Sequence, residues 1–166
     1  MATVTLNGKT VTLSGDLPAV GSQAPDFHLT RGDLVDVSLA TYAGKKLLLD
    51  IVASLDTATC AASARRFNEA MSNRDDMLTL VISADLPFAQ SRFCSVEGLE
   101  DVIPLSMMRG KSFAKDYGLL QVDGPLAGLL ARAIVIIDEK GIITYTQLVP
   151  EISHEPDYDA ALKALG

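Results

Sequence analysis

The sequence predicts an α/β fold in which helices flank a mixed β-sheet, with a β-hairpin added at the N-terminus. Three patterns carry this prediction. Residues 3–13 alternate apolar and polar, apolar runs alternate with helical segments from residue 46 onwards, and two β-branched runs precede a last helix. A chain of 166 residues fits one domain spanning residues 1–166.

The N-terminal part predicts a hairpin and two short strands. Thr3–Leu6 and Thr10–Leu13 flank Asn7-Gly8, a dipeptide that favours the type I′ turn of two-residue hairpins. After a loop that contains two prolines and a glycine, we expect short strands at Phe27–Leu29 and Leu34–Val37.

The middle of the chain repeats a unit of buried strand and helix. Leu47–Val52 is almost continuously apolar, as expected of a strand covered on both faces. A helix over Thr59–Met71 follows, and a second buried strand is expected at Met77–Ser83. The apolar stripe of the first helix has helical spacing and consists of Cys60, Ala64, Phe67 and Met71.

The second half continues this order and ends with a hairpin and a helix. Asp85 is the expected cap of the second helix, and Pro87 falls in its first turn. The remaining elements are expected at Val102–Leu105 (strand), Lys111–Tyr117 (helix), Ala133–Ile137 and Ile142–Leu148 (strands) and Asp157–Leu165 (helix). The order β-α-β-α, an excursion, and β-β-α is that of a thioredoxin-like sheet.

Charge and composition exclude several classes of function. Acidic residues outnumber basic ones by 21 to 14, and the net charge of −7 opposes binding to nucleic acid or to an anionic membrane surface. No signal peptide or membrane span is predicted, so we expect a cytosolic protein. We expect no metal and no cofactor, because His28 and His154 are isolated and nucleotide-binding motifs are missing.

Two cysteines are the candidates for chemistry, and they do not form a Cys-x-x-Cys pair. Cys60 follows a buried strand and lies in the first turn of a helix, which Asp56 or Thr57 could cap. The positive end of the helix dipole favours thiolate over thiol there. The alternative is that Cys60 only continues the apolar stripe of its helix.

Arg132 and Cys94 are the possible partners of Cys60. Arg132 begins an apolar strand that is expected to run beside the strand before Cys60, and no acidic residue lies within five positions of it. It either faces a thiolate or extends to solvent. Cys94, on the second helix, is either a half-buried structural thiol or a resolving thiol for an oxidised Cys60.

Four segments of the sequence resemble the bacterial thiol peroxidases, which are atypical two-cysteine peroxiredoxins. They are DTATCAAS at residues 56–63, ISADLPFAQSRFC at 82–94, ARA at 131–133 and EPDY at 155–158. The resemblance implies that Cys60 is the peroxidatic cysteine, with Thr57 hydrogen-bonded beside it and Arg132 activating it. It further implies that Cys94 is the resolving cysteine. Reduction by thioredoxin, a preference for alkyl hydroperoxides and a homodimer are also implied.

One segment departs from the family pattern. Ala53 stands where these enzymes have a proline that shields the thiolate, and Asp50 and Val52 stand where asparagine and phenylalanine are expected. The leading hypothesis is a thiol-dependent hydroperoxide reductase. The alternative, favoured by Ala53, is a catalytically weakened member of the fold that binds a partner or senses oxidants.

Overall fold

The computed structural model describes residues 1–166 and contains a seven-stranded mixed sheet and a separate hairpin. The strands are β1 (Thr3–Leu6), β2 (Lys9–Thr12), β3 (Leu29–Arg31), β4 (Asp36–Val37), β5 (Lys46–Ile51), β6 (Met77–Ser83), β7 (Val102–Ser106), β8 (Ala133–Ile137) and β9 (Ile143–Leu148). The helices are α1 (Ala58–Met71), α2 (Pro87–Glu97), α3 (Ser112–Asp116) and α4 (Tyr158–Leu165). The predicted fold class is confirmed.

The order of strands in the sheet is β4-β3-β7-β6-β5-β8-β9. The central strand β5 pairs in parallel with β6 and antiparallel with β8, with Ile51 opposite Ala133. The carboxyl end of β5, which leads to Cys60, therefore meets the amino end of β8, which follows Arg132. The expectation that these two strands are neighbours is confirmed.

Helices cover both faces of the sheet. On one face, α3 and the N-terminal hairpin pack against the largest apolar cluster, which contains Val4, Val11 and Phe113. On the other face, α1 and α4 pack against β5 and β8, and α1 also meets α2 in a smaller cluster that includes Cys60. None of the helices combines the length and the hydropathy of a membrane span.

The N-terminal hairpin forms as predicted, whereas some of the short elements that follow it differ from the prediction. Asn7 and Gly8 have φ angles of 51° and 81°, as the predicted type I′ turn requires. The two short strands lie partly elsewhere than predicted: β3 begins at Leu29, where the first was expected to end, and β4 covers only Asp36–Val37. Leu34 does not extend β4, because it adopts a left-handed φ of 67° in the turn before that strand. A short 3-10 helix at Leu39–Tyr42 was not predicted.

Asp85 does not cap α2 as the sequence analysis expected. The residue at the cap position is Leu86, whose side chain makes no capping bond. The carboxylate of Asp85 instead accepts hydrogen bonds from the hydroxyls of Ser54 and Ser83, both at 2.7 Å, and from the backbone N–H of Leu55 at 2.8 Å. Asp85 thereby ties the loop before α1 to the segment before α2, because a loop with no ladder partners needs other acceptors.

We predict that Asp85→Ala lowers the free energy of unfolding by about 2 kcal/mol, since three donors would lose a charged acceptor. The matched control is Asp56→Ala in the same loop. The side chain of Asp56 is exposed and makes no hydrogen bond, so its loss should change stability by less than about 0.5 kcal/mol. Urea unfolding of both variants measures the difference. Equal midpoints would contradict the role given to Asp85.

Candidate active site

Thr57 begins α1 and contacts the cysteine in its first turn. Its Oγ1 accepts a hydrogen bond from the backbone N–H of Cys60 at 3.4 Å, while its hydroxyl donates to the carbonyl of Ser54 at 3.0 Å. Of the two candidate caps, the structure selects Thr57, because the side chain of Asp56 makes no hydrogen bond. Thr57 thus holds the N-terminal turn in which the Cys60 sulfur lies.

Cys60 is completely buried and packs in an apolar cluster with Val52, Ala53 and Val81. Cys94 is half-buried and packs against the same cluster from α2, so the fold brings the two cysteine-bearing helices together. Both thiols are free. Burial raises the pKa of the Cys94 thiol, which keeps that side chain protonated at neutral pH.

Arg132 is 2% exposed, so the expectation that it could extend to solvent is wrong. Its Nε and Nη2 donate to the backbone carbonyl of Ile152 at 3.1 and 3.0 Å. Its Nη1 has no hydrogen-bond partner, and the salt bridges of the protein involve other arginines. A buried guanidinium with an unused donor is costly and is suited to an anionic or oxyanionic ligand.

The loop that presents the Ile152 carbonyl is held by the N-terminal hairpin. The backbone N–H of Ile152 donates to Thr5, and the Glu151 carboxylate accepts from the N–H groups of Gly8 and Ser153. These hydrogen bonds lower the pKa of Glu151 to about 2. The carboxylate is therefore charged, and its anchoring contribution is lost only in acid, as pH falls toward that value. Sequence analysis missed this loop, because no residue in it signals a contact with Arg132.

A pocket of about 160 Å³ adjoins these groups. Ala53, Thr57 and Arg132 line it together with three apolar residues, Leu6, Leu126 and Ile152, and two that carry hydroxyl groups, Thr59 and Ser153. Cys60 does not itself line the pocket, but Thr57 and Ala53 both contact it. A small molecule in the pocket would meet the Arg132 side chain and the two residues that cover the Cys60 thiol.

Asp50 is a site residue that the sequence analysis did not place. It is fully buried on β5, and the only hydrogen bond to its carboxyl group comes from the Ser63 hydroxyl on α1, at 3.0 Å to the nearer oxygen. Burial raises the pKa of Asp50 to about 7, while Ser63 and Arg132 act to lower it. Asp50 is 82 residues from Arg132 in sequence, and only the pairing of β5 with β8 brings its carboxyl group under the influence of the Arg132 charge. An aspartate inside an apolar strand was the available signal.

No group of three or more histidine, cysteine or acidic side chains lies close enough together to hold a metal ion. The side chains gathered at this place are two thiols, a buried guanidinium, a threonine hydroxyl and a buried carboxyl group.

Comparisons with known proteins agree with this geometry. A family model described as Redoxin matches residues 19–162. Thiol peroxidases of Mycobacterium tuberculosis (strain H37Rv) and Mycobacterium bovis are each 53% identical over 166 residues, which is the whole of this chain and 99% of theirs.

Two solved structures share the fold over nearly the full chain. A peroxiredoxin-like protein from Aquifex aeolicus superposes with a TM-score of 0.91 at 39% identity, covering 98% of this chain and 95% of that one. A thiol peroxidase from Chromobacterium violaceum superposes with a TM-score of 0.88 at 26% identity, covering 98% and 94%. This chain belongs to the Redoxin family and, within it, to the thiol peroxidases, oxidoreductases that reduce peroxides with a thiol.

Proposed function

We propose that Cys60 is the peroxidatic cysteine and that Arg132 and Thr57 are the residues that act with it on the peroxide. The observation that carries this proposal is the Nη1 atom of Arg132, a buried cationic donor without a partner, on a side chain that lines the pocket beside Thr57. Such a donor stabilises an oxygen atom that gains negative charge during a reaction.

The first step is an attack of the Cys60 thiolate on the terminal oxygen of a hydroperoxide. The sulfur gives up an electron pair and becomes sulfenic acid, the O–O bond breaks, and the departing alkoxide takes a proton to leave as an alcohol. Charge develops on the departing oxygen, and Arg132 is preorganised to stabilise it because Ile152 already fixes its other nitrogens.

The second step forms a disulfide between Cys60 and Cys94 within one chain. The Cys94 thiol attacks the sulfenic sulfur, the S–S bond forms, and hydroxide leaves with the thiol proton as water. Packing of both cysteines in one apolar cluster supports this pairing. An external dithiol then reduces the disulfide, and we assign that part to thioredoxin in the cytoplasm, with the enzyme acting as a homodimer.

The lining of the pocket favours alkyl hydroperoxides as substrates. Leu6, Leu126, Ile152 and Ala53 supply apolar surface, whereas Arg132 and three hydroxyl-bearing residues supply the polar groups: Thr57, Thr59 and Ser153. An alkyl group would bury apolar area that hydrogen peroxide does not have, at roughly 25 cal/mol per Å². Hydrogen peroxide remains a substrate, since the reacting atoms are the same.

A second candidate function rests on Ala53. Ala53 is buried, lines the pocket and contacts Cys60. Because the alanine side chain is smaller than a proline ring, it covers the Cys60 thiol less completely. A weakened peroxidase of this kind would sense oxidants or bind a partner. Measured turnover separates the two functions, because a sensor needs one oxidation and a peroxidase needs many.

Peroxide-dependent consumption of NADPH, coupled through thioredoxin and thioredoxin reductase, tests the proposed function. We expect sustained turnover in the wild type and none in Cys60→Ser.

Cys94→Ser should still oxidise once, and mass spectrometry should then find a single added oxygen on Cys60. After peroxide treatment of the wild type, the Cys60 and Cys94 peptides should be linked at monomer mass. A disulfide-linked dimer as the main product would contradict the intramolecular step.

Ala53→Pro tests whether the loop limits the chemistry. No hydrogen bond from the backbone N–H of Ala53 is present, so proline removes none, and its ring adds cover between pocket and thiol. We predict a second-order rate constant for Cys60 oxidation at least about tenfold higher, or ~1.4 kcal/mol of barrier. Quenched-flow oxidation followed by mass spectrometry measures it. The reference is the wild type measured under identical conditions, and equal rates would show that this loop is not limiting.

A further inference from the structure

One buried titratable group is not used by the proposed reaction. Asp50 lies on β5 within the face of the sheet that α1 and α4 cover, the same face as Leu48 and Val52. Because β5 and β8 are antiparallel with Asp50 opposite Ile134, the side chain of Arg132 belongs to this face as well. The cation, the peroxidatic helix and the buried acid therefore share one layer of the protein.

The groups that face Asp50 are few. From α1 there is the Ser63 hydroxyl, which also contacts the Cys60 carbonyl. From the residue before β8 there is the charge of Arg132, and from α4 the phenol of Tyr158. The Tyr158 hydroxyl donates to Glu155, and Arg66 lies over its ring. The neighbours in the sheet, Val81 on β6 and Ile134 on β8, are apolar.

The hydrogen bonds of Ser63 fit a protonated Asp50 better than a charged one. The Ser63 Oγ lies 3.0 and 3.3 Å from the two oxygens of Asp50 and 2.9 Å from the carbonyl oxygen of Cys60. The hydroxyl has one proton for these three acceptors. If Asp50 carries a proton, it donates to Ser63, and Ser63 donates to the Cys60 carbonyl, so both protons and that carbonyl have partners.

We propose that Asp50 is a positioning residue that makes the reactivity of Cys60 depend on pH: neutral, it supports the first turn of α1 through Ser63, and charged, it competes with the thiolate for the field of Arg132. This inference rests on the proposed function of Cys60. Two anions that share one buried cation disfavour each other, so their ionisations are coupled. Ionisation of Asp50 also turns the Ser63 hydroxyl away from the Cys60 carbonyl.

The direction of the effect follows from the raised pKa of Asp50, about 7 in the folded protein against an ordinary value of 3.8. Between these values the folded state holds a proton that the unfolded state has lost, so the stability associated with Asp50 falls as pH rises toward 7. Asp50→Asn keeps the shape and the donor to Ser63 but cannot ionise. In Cys60 reactivity and in stability, the variant should therefore resemble the wild type in acid and differ from it above neutrality.

The decisive measurement is the ratio of the Cys60 oxidation rates of Asp50→Asn and wild type from pH 5.5 to 8.5. Dividing the rates cancels any pH dependence that the two proteins share, so the ratio isolates the contribution of the Asp50 charge. We expect a ratio near one in acid that rises to roughly fivefold at pH 8.5. The matched control is Asp159→Asn, which removes a charge from a fully solvated position on α4 and should give a flat ratio. A flat ratio for Asp50→Asn would overturn the proposal.

Two further readouts involve no peroxide. The carbon-13 shift of the Asp50 carboxyl group should titrate near neutrality, and urea midpoints of Asp50→Asn and wild type should coincide in acid and favour the variant at pH 8.5. An Asp50 that stays charged at pH 5.5 would overturn the proposal. If the wild type itself is not oxidised by peroxide, the proposed function fails. Alkylation of Cys60 by iodoacetamide, which also needs the thiolate, then supplies the rate ratio.

Discussion

The burial of the Arg132 guanidinium is the constraint on which the rest of the site depends. A cation with 2% exposure needs acceptors, and a single backbone carbonyl, that of Ile152, supplies the hydrogen bonds to two of its nitrogens. The third nitrogen is left without a partner. This arrangement is a cost to folding and an advantage to a reaction in which an oxygen atom becomes negatively charged.

Several parts of the fold hold the buried arginine and its surroundings in place. The N-terminal hairpin positions the Ile152 loop through Thr5 and Glu151, so an element remote from the cysteines contributes to the orientation of the arginine. The pairing of β5 with β8 places the arginine beside the loop that carries Cys60. Asp85 ties that same loop to the segment that begins the helix of Cys94. The site is thus held by hydrogen bonds between stretches of the chain that are distant in sequence.

Local patterns predicted most of the fold and part of the site. The Asn7-Gly8 turn, the apolar run of β5 and the position of Cys60 at a helix start follow from rules that act over a few residues. Contacts between strands do not: Asp50 meets the charge of Arg132, and Asp85 serves a loop 30 residues away rather than its own helix. A short polar side chain before a helix predicts a cap, as at Asp85, but only the tertiary structure shows which donors its carboxylate contacts.

The most direct test of this account is the rate of Cys60 oxidation by an alkyl hydroperoxide in Arg132→Met. Methionine fills a similar volume without charge or donors, and an apolar side chain removes the desolvation cost of a buried cation, so the variant should stay folded by circular dichroism. We predict that the second-order rate constant falls at least about a hundredfold, or ~2.7 kcal/mol of barrier, as when a preorganised donor to a developing oxyanion is removed. A folded variant that oxidises at the wild-type rate would contradict the account.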